Sequence, residues 1–420
     1  MLGDRLIQLN EYVSFHTPGH SGGIVDFPPF NAPIAWTDTT ETPFTDDLKA
    51  PETIIAEAET AVGKIYGTAP VIFSTAGATA LIQTAIYRNR RERFLVYEAA
   101  HSSVYNALRL TGAAAYQSVG IPVEAAVKQC KATAVIVTSP DYYGRTVPRD
   151  DIERLGKKVK VIVDASHGAH FAFSDKLPVS ATEYADTVIH SMHKTLPVLT
   201  GGAVLHVPEN EYDDYMAAFR LFHTTSPSYP VMASIEAAAK YFSENGKRLY
   251  DKVYSDVAAF KRVACAAGYR TADNDDFSRV VIVAPGGGKA LNDILLKNKI
   301  VPEFRSDNDV TLIVTPYNSD RLKDVGKVLT ANPYRGDVGA AGIEAPKGVF
   351  GLEFADLGEV VPIAESRGRR AFGGIGEYPP GTPRIFPGQV IGEAEYGYLT
   401  KLSQSGGSFG LDKDGVSVIK

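Results

Sequence analysis

Between residues 69 and 206 the chain alternates short apolar runs with helical patterns, and that alternation restricts the fold more than any other feature. The candidate strands are 69–73, 93–97, 114–118, 134–138, 160–164, 187–190 and 202–206, with helices such as 79–90 and 103–111 between most of them. Strands separated by helices cannot pair as tight hairpins. They predict a mostly parallel, seven-stranded α/β sheet covered by helices on both faces. A further helix is predicted over 51–66, opened by Pro51 and closed by Gly67, with Ile54, Ile55, Ala58, Ala61, Val62 and Ile65 at helical spacing.

Open sheets of this kind bind ligands at the carboxyl ends of their strands. Val161-Ile-Val163 is a β-branched run that ends in Asp164, and Thr187-Val-Ile189 leads into Ser191, His193 and Lys194. Neighbouring strands would thus bring a carboxylate and a lysine to one edge. Pyridoxal phosphate (PLP) needs that combination: a lysine to form the Schiff base and a carboxylate to keep the pyridine nitrogen protonated. Burial or a nearby cation lowers a lysine pKa and frees the neutral amine. Taken singly, such an Asp is more often a turn former and such a Lys a solvated charge; the order and neighbours of this pair give it weight.

Ser74-Thr75-Ala-Gly77-Ala78-Thr79 stands between a strand and a helix, a place where helix N–H groups can take a phosphate or where small residues only cap the helix. His101 opens the next helix and reads either as a ring stacked on a flat cofactor or as a capping histidine. The pairs His16/His20, His167/His170 and His190/His193 lack the spacing of a helical zinc motif, and no HExxH occurs, so no metal is expected. Gly286-Gly-Gly288-Lys289 fails as a phosphate-binding P-loop, because Ala290 stands where Ser or Thr should follow the lysine.

Net charge −6 argues against nucleic acid and anionic membranes as partners. Two cysteines, Cys130 and Cys265, make a disulfide framework improbable, and no apolar run reaches membrane-spanning length, so a cytoplasmic protein is expected. The division expected is an irregular arm over 1–35, a large cofactor-binding domain over 36–250 and a small C-terminal α/β domain over 251–420 with a proline-dense terminal segment.

Phe15-His-Thr-Pro-Gly-His20, Asp46-Asp-Leu-Lys-Ala-Pro51, Thr138-Ser-Pro-Asp-Tyr-Tyr-Gly144, Asp164-Ala-Ser-His-Gly-Ala-His170, Ser191-Met-His-Lys194, Thr224-Thr-Ser-Pro-Ser-Tyr229 and Tyr378-Pro-Pro-Gly381 together carry a family likeness. Over nearly its whole length the chain resembles the bacterial-type PLP-dependent ornithine/lysine/arginine decarboxylases, which have the type I (aspartate-aminotransferase) fold. The resemblance implies Lys194 as the residue that holds PLP, Asp164 as partner of the pyridinium and His101 as the ring stacked on it. It implies Gly77, Ala78, Thr79, Ser166, His167, Ser191 and His193 as cofactor neighbours, with His193 or Lys194 returning a proton to the substrate. Thr224 would reach the phosphate of the partner subunit, which implies a homodimer. An N-terminal wing like that of the larger members is expected to be missing.

The activity implied is decarboxylation of a basic amino acid, as in polyamine biosynthesis. Departures from the family pattern bear on the substrate: Ala76-Gly-Ala-Thr79, Ala165-Ser166, Gln389 where an acid is usual, and Arg384 where an apolar residue is usual. If Gln389 and Arg384 face the pocket, a cationic substrate end is bound less well. A lyase, an aminotransferase, a decarboxylase of a non-cationic amino acid and a catalytically silent binding protein stay open. Asp46, Asp47 and Glu353 are candidates for meeting the far end of the substrate.

Overall fold

The computed structural model describes residues 11–420 except 22–24, 28, 32–33, 35–36, 43, 69, 337–346, 379–380, 406 and 414. Within it the seven strands of the large sheet are Val71–Ser74, Phe94–Tyr97, Ala115–Val119, Ala134–Thr138, Lys160–Asp164, Thr187–His190 and Ala203–His206. The strands from Phe94 to His190 pair in parallel. Ala203–His206 runs antiparallel to both its neighbours, Thr187–His190 and Val71–Ser74. An eighth strand, Gly348–Gly351, adds antiparallel to Ala115–Val119 at the opposite edge.

The apolar runs are continuous because both faces are covered. Phe94, Val96, Ile136 and Ile162 enter one core with Leu81, Leu108 and Ile235 from the helices Gly77–Arg88, Ser102–Thr111 and Tyr229–Ala266. Leu95, Val135, Val137, Val161 and Val163 enter the other, against Val123 and Ala126 of Val123–Cys130 and Ile152 and Leu155 of Arg149–Gly156. Successive side chains point to opposite faces, so a strand buried on both sides has no polar positions to spare.

The helix Tyr229–Ala266 has 38 residues, about 57 Å at 1.5 Å per residue, and runs from the large sheet to a second one. Gly246 lies inside the helix because Phe173 approaches closely: a Cβ there would lie 2.6 Å from the Cβ of Phe173. The second sheet is antiparallel, in the order Phe304–Arg305, Asp309–Ile313, Arg279–Val283, Arg270–Thr271. Val280, Ile282 and Leu312 bring it into the same core as the large sheet.

Gly358–Val361, Gly415–Ile419 and Leu411–Asp412 form a further sheet. With the helix Glu393–Ser405 it surrounds a separate core that includes Ile375, Ile385, Leu399 and Val416. The amino-terminal arm is not wholly irregular. Val13–Phe15 pairs in parallel with Ile300–Pro302, because an alternating Val-Ser-Phe triplet can bury Phe15 against the second sheet.

The helix Ile54–Ile65 is tied to the large sheet through a buried acid: Glu59 Oε1 accepts the N–H of Phe73 at 2.8 Å. Burial raises its pKa from 4.5 to about 8. Folding therefore favours the protonated form, and the stability Glu59 contributes is lost as pH rises from about 4.5 to about 8. Glu59→Gln keeps an acceptor for Phe73 and never ionises. In urea unfolding, its stability relative to the wild type should improve through that window by up to about 1.4 kcal/mol per pH unit. Parallel stability–pH curves for the two proteins would refute the assignment.

Candidate active site

The strand Lys160–Asp164 ends at the rim of the large sheet, and its last side chain is buried. Oδ1 of Asp164 accepts the backbone N–H of Ser166 at 3.1 Å and its hydroxyl at 2.5 Å, which fixes the carboxylate. Beside it, the strand Thr187–His190 passes through Ser191 into the short helix Met192–Thr195 that carries Lys194. Nζ of Lys194 lies 3.1 Å from Nε2 of His167. Burial lowers the Lys194 pKa, with Asp164 and Glu303 opposing and Arg279 assisting.

These residues face one cavity of about 740 Å³. Gly77, Ala78, Thr79, His101, Asp164, Ser166, His167, Ser191, His193 and Lys194 all line it. Thr224 does not: it is exposed, and its hydroxyl accepts the N–H of Ser226 at 3.1 Å. The helix Gly77–Arg88 begins at the cavity without a side-chain cap, so the N–H groups just after Gly77 are available to an anion. Gly77 has φ +74 and donates its own N–H to the carbonyl of Gly201 at 2.8 Å; a side chain would strain that turn.

His101 serves as a cap and lines the cavity at once. Its Nδ1 accepts the N–H of Ser103 at 3.2 Å, while the other side of the ring meets Gly381. Gly381 has φ +79, and a Cβ there would lie 3.0 Å from Nε2 of His101. This close approach explains why the Tyr378–Gly381 segment ends in glycine; Pro379 and Pro380 lie outside the described residues. His193 donates from Nδ1 to the carbonyl of Gly202 at 3.2 Å.

Several residues of the site were not legible in the sequence. Arg279, at the start of a strand of the second sheet, is buried and donates from Nη2 to Nδ1 of His167 at 2.8 Å. Glu303 is also buried, accepting the Tyr142 hydroxyl at 2.7 Å and the N–H of Thr17 at 3.0 Å. That pair ties the arm to the cavity wall. The wall also carries Glu98, Asp141, Tyr143, Arg145, Glu377 and Arg384. Burial raises the Glu377 pKa, and Arg384 opposes the rise.

The candidates for the far end of the substrate need correction. Asp46 caps the helix Ile54–Ile65, accepting the N–H groups of Thr53 at 2.7 Å and Ile55 at 3.1 Å. Asp47 accepts the N–H of Lys49 at 2.8 Å, Glu353 pairs with Arg370 at 2.5 Å, and none of the three lines the cavity. Gln389 is likewise a local brace between the N–H of Phe386 and the carboxylate of Glu395. Of Gln389 and Arg384, only Arg384 lines the cavity.

The family profile described as Orn/Lys/Arg decarboxylase, major domain, matches residues 115–273, the stretch that contributes Asp164, His167 and Lys194. Over that stretch the chain is similar to the ornithine/lysine/arginine decarboxylases. It is 28% identical to the uncharacterized protein YaaO of Bacillus subtilis, over 93% of this chain and 91% of the relative. Arginine decarboxylases of Halalkalibacterium halodurans and Bacillus subtilis are each 26% identical, over 94% of this chain and 91% of theirs. Among solved structures, lysine decarboxylase A from Pseudomonas aeruginosa superimposes with a TM-score of 0.73 at 17% identity, covering 99% of this chain and 79% of that one. Sphingomonas wittichii serine palmitoyltransferase gives 0.64 at 16% identity, covering 76% and 86%. These likenesses establish the type I fold, and the profile matched is that of PLP-dependent amino-acid decarboxylases.

The residues present suit that cofactor: a fixed buried carboxylate, an amine of lowered pKa, an uncapped helix start and a flat histidine ring converge on one cavity. Among the described residues no cluster could hold a metal ion, and no helix is long and apolar enough to cross a membrane. Burial pushes the pKa values of His101 and His193 down to about 4, so both rings are neutral near pH 7. Imidazole ¹⁵N spectra should show neither charging until pH falls to about 4. Titration near 6.5, the ordinary value, would mean that the site is wetter than its geometry implies.

Proposed function

We propose that this chain decarboxylates a basic amino acid (lysine, arginine or ornithine) to the corresponding amine and CO₂. The observation that carries the reading is the convergence of Lys194, Asp164, His101 and the start of the helix Gly77–Arg88 on one cavity whose wall also holds the carboxylates Glu98, Asp141 and Glu377. When bound, PLP supplies an electron-accepting ring for the pair released as the substrate carboxylate leaves.

Each side chain then has a task. Lys194 would hold the cofactor through Nζ, and the same amine could carry a proton to the substrate Cα. Lys194 suits that task better than His193, whose ring is a proton donor only near pH 4. Asp164, held by Ser166, would be the residue to pair with the pyridine nitrogen and keep it charged. The neutral His101 would lie against the cofactor ring, and the N–H groups after Gly77 would hold its phosphate. The carboxylates of the wall meet the distal cation of the substrate.

Thr224, exposed on its own subunit, contributes to the phosphate site of a partner, so the working form is a homodimer. The free thiols of Cys130 and Cys265 suit a cytoplasmic protein. One observation favours a second reading. Arg384 on the cavity wall offsets Glu377, which would suit a neutral or acidic distal group and hence a different amino acid.

CO₂ release across a panel of amino acids separates the two. Turnover of lysine, arginine or ornithine is expected; activity on neutral or acidic substrates alone would reject the first reading. Lys194→Ala should abolish covalent retention of PLP after borohydride reduction and nearly all turnover, and full activity in that variant would refute the site. Asp164→Asn should still take up PLP yet turn over at least about a hundredfold more slowly, because an uncharged pyridine is a poor electron sink. Wild-type rates there would count against the role given to Asp164.

A further inference from the structure

The protons around Lys194 can be assigned from the hydrogen bonds alone. Nη2 of Arg279 donates to Nδ1 of His167 at 2.8 Å. A guanidinium has no lone pair to offer and stays charged in a protein, so Nδ1 of His167 must be the acceptor. An imidazole with a bare Nδ1 carries its proton on Nε2. That nitrogen lies 3.1 Å from Nζ of Lys194, so the ring N–H is aimed at the amine. The contact closes only if Nζ supplies a lone pair; an ammonium would set donor against donor.

A second observation indicates that Arg279 is there for more than packing. The residue is 2% exposed, and its Nε and Nη1 have no hydrogen-bond partner among the described residues. A buried guanidinium left partly unsatisfied is costly, and an apolar side chain would fill the space at lower cost. The backbone nevertheless makes room for it. Gly144 has φ +82, and a Cβ there would lie 2.8 Å from the Cβ of Arg279, while Asn274 donates to the carbonyls of Arg279 and Tyr143 at 2.6 and 2.7 Å.

We propose that Arg279 is a positioning residue which, acting through His167, fixes the imidazole tautomer and holds Lys194 as the free amine. The inference rests on the reading of Lys194 as the residue that captures an aldehyde, for which the unprotonated form is the reactive one. The groups facing Lys194 divide. Asp164 and Glu303 favour the ammonium; burial and Arg279 favour the amine. The rings of His101, His167 and His193 are held neutral by burial. Removing Arg279 leaves burial alone to oppose the two carboxylates and frees His167 to shift its proton to Nδ1 and accept from an ammonium.

The test uses the full chain stripped of cofactor with hydroxylamine, without substrate. Trace acetic anhydride is applied across pH, peptides are quantified by mass spectrometry, and the midpoint of Lys194 reactivity is compared with that of the exposed Lys297. The wild-type midpoint should lie at least about one unit below that of Lys297, and Arg279→Met should raise it by about one unit or more, a tenfold loss of free amine at neutral pH. Arg279→Lys, which can also only donate, should retain most of the wild-type value.

A Lys194 midpoint equal to that of Lys297 in the wild type, or one unmoved in a folded Arg279→Met protein, would overturn the proposal. If Arg279→Met fails to fold, the wild-type and Arg279→Lys midpoints decide. A low wild-type midpoint that rises in Arg279→Met, in a chain that then takes up no PLP, would support this inference while refuting the proposed activity.

Discussion

The parallel pairing of Lys160–Asp164 with Thr187–His190, in which Asp164 lies opposite Ile189, is what the site depends on. It brings an acid to the rim directly and an amine there five residues past the paired isoleucine, on a helix of a single turn. Because alternate residues point to opposite faces, a slip of one residue in this ladder would turn the carboxylate away from the cavity. The buried β-branched residues on both strands make such a slip expensive, since every side chain would exchange its core for the other. Stability and placement of the acid therefore come from the same side chains.

Burial then sets the chemistry. Inside the cavity the charged form of every ionisable group is penalised. His101, His167 and His193 respond by staying neutral, while Asp164 holds its place through two hydrogen bonds from Ser166. Lys194 stands between these regimes, pulled toward the ammonium by two carboxylates and toward the amine by its surroundings. A residue poised in this way can hold a carbonyl carbon in one step and carry a proton in the next, which an ordinary surface lysine cannot do at neutral pH.

The large sheet was legible because strands buried on both faces leave a continuous apolar signature, and Asp164 and Lys194 because each follows such a strand. Pro230 and Gly246 interrupt the helical pattern of the longest helix in the sequence, yet Pro230 falls in the first turn, where no N–H is needed, and Gly246 admits Phe173. Gly348–Gly351 carries no strand pattern of its own and is specified by the edge it covers. Asp46 and Glu353 were misread for a similar reason. A carboxylate that caps a helix and one that pairs with an arginine look the same in sequence as one that faces a ligand. Arg279 and Glu303 gave no local signal, because their partners are more than a hundred residues away.

Those distant partners show how the rest of the molecule is recruited to the rim. The turn from Asp276 to Arg279 meets both histidines of the Asp164–His170 segment: Arg279 donates to His167, and His170 lies between Asp276 at 3.3 Å and Ser278 at 3.1 Å. Glu303, just before the strand Phe304–Arg305 of the same sheet, accepts from Tyr142 in the loop after Ala134–Thr138 and from Thr17 of the arm. Gly19 of that arm donates to the carbonyl of His193 at 2.8 Å, one residue before the lysine. The second sheet and the arm thus act on the backbone and rings that orient Lys194, rather than merely closing the cavity from outside. A change in how either packs would reach the amine through at most two hydrogen bonds, so the fit of these distant segments is part of the chemistry of the site.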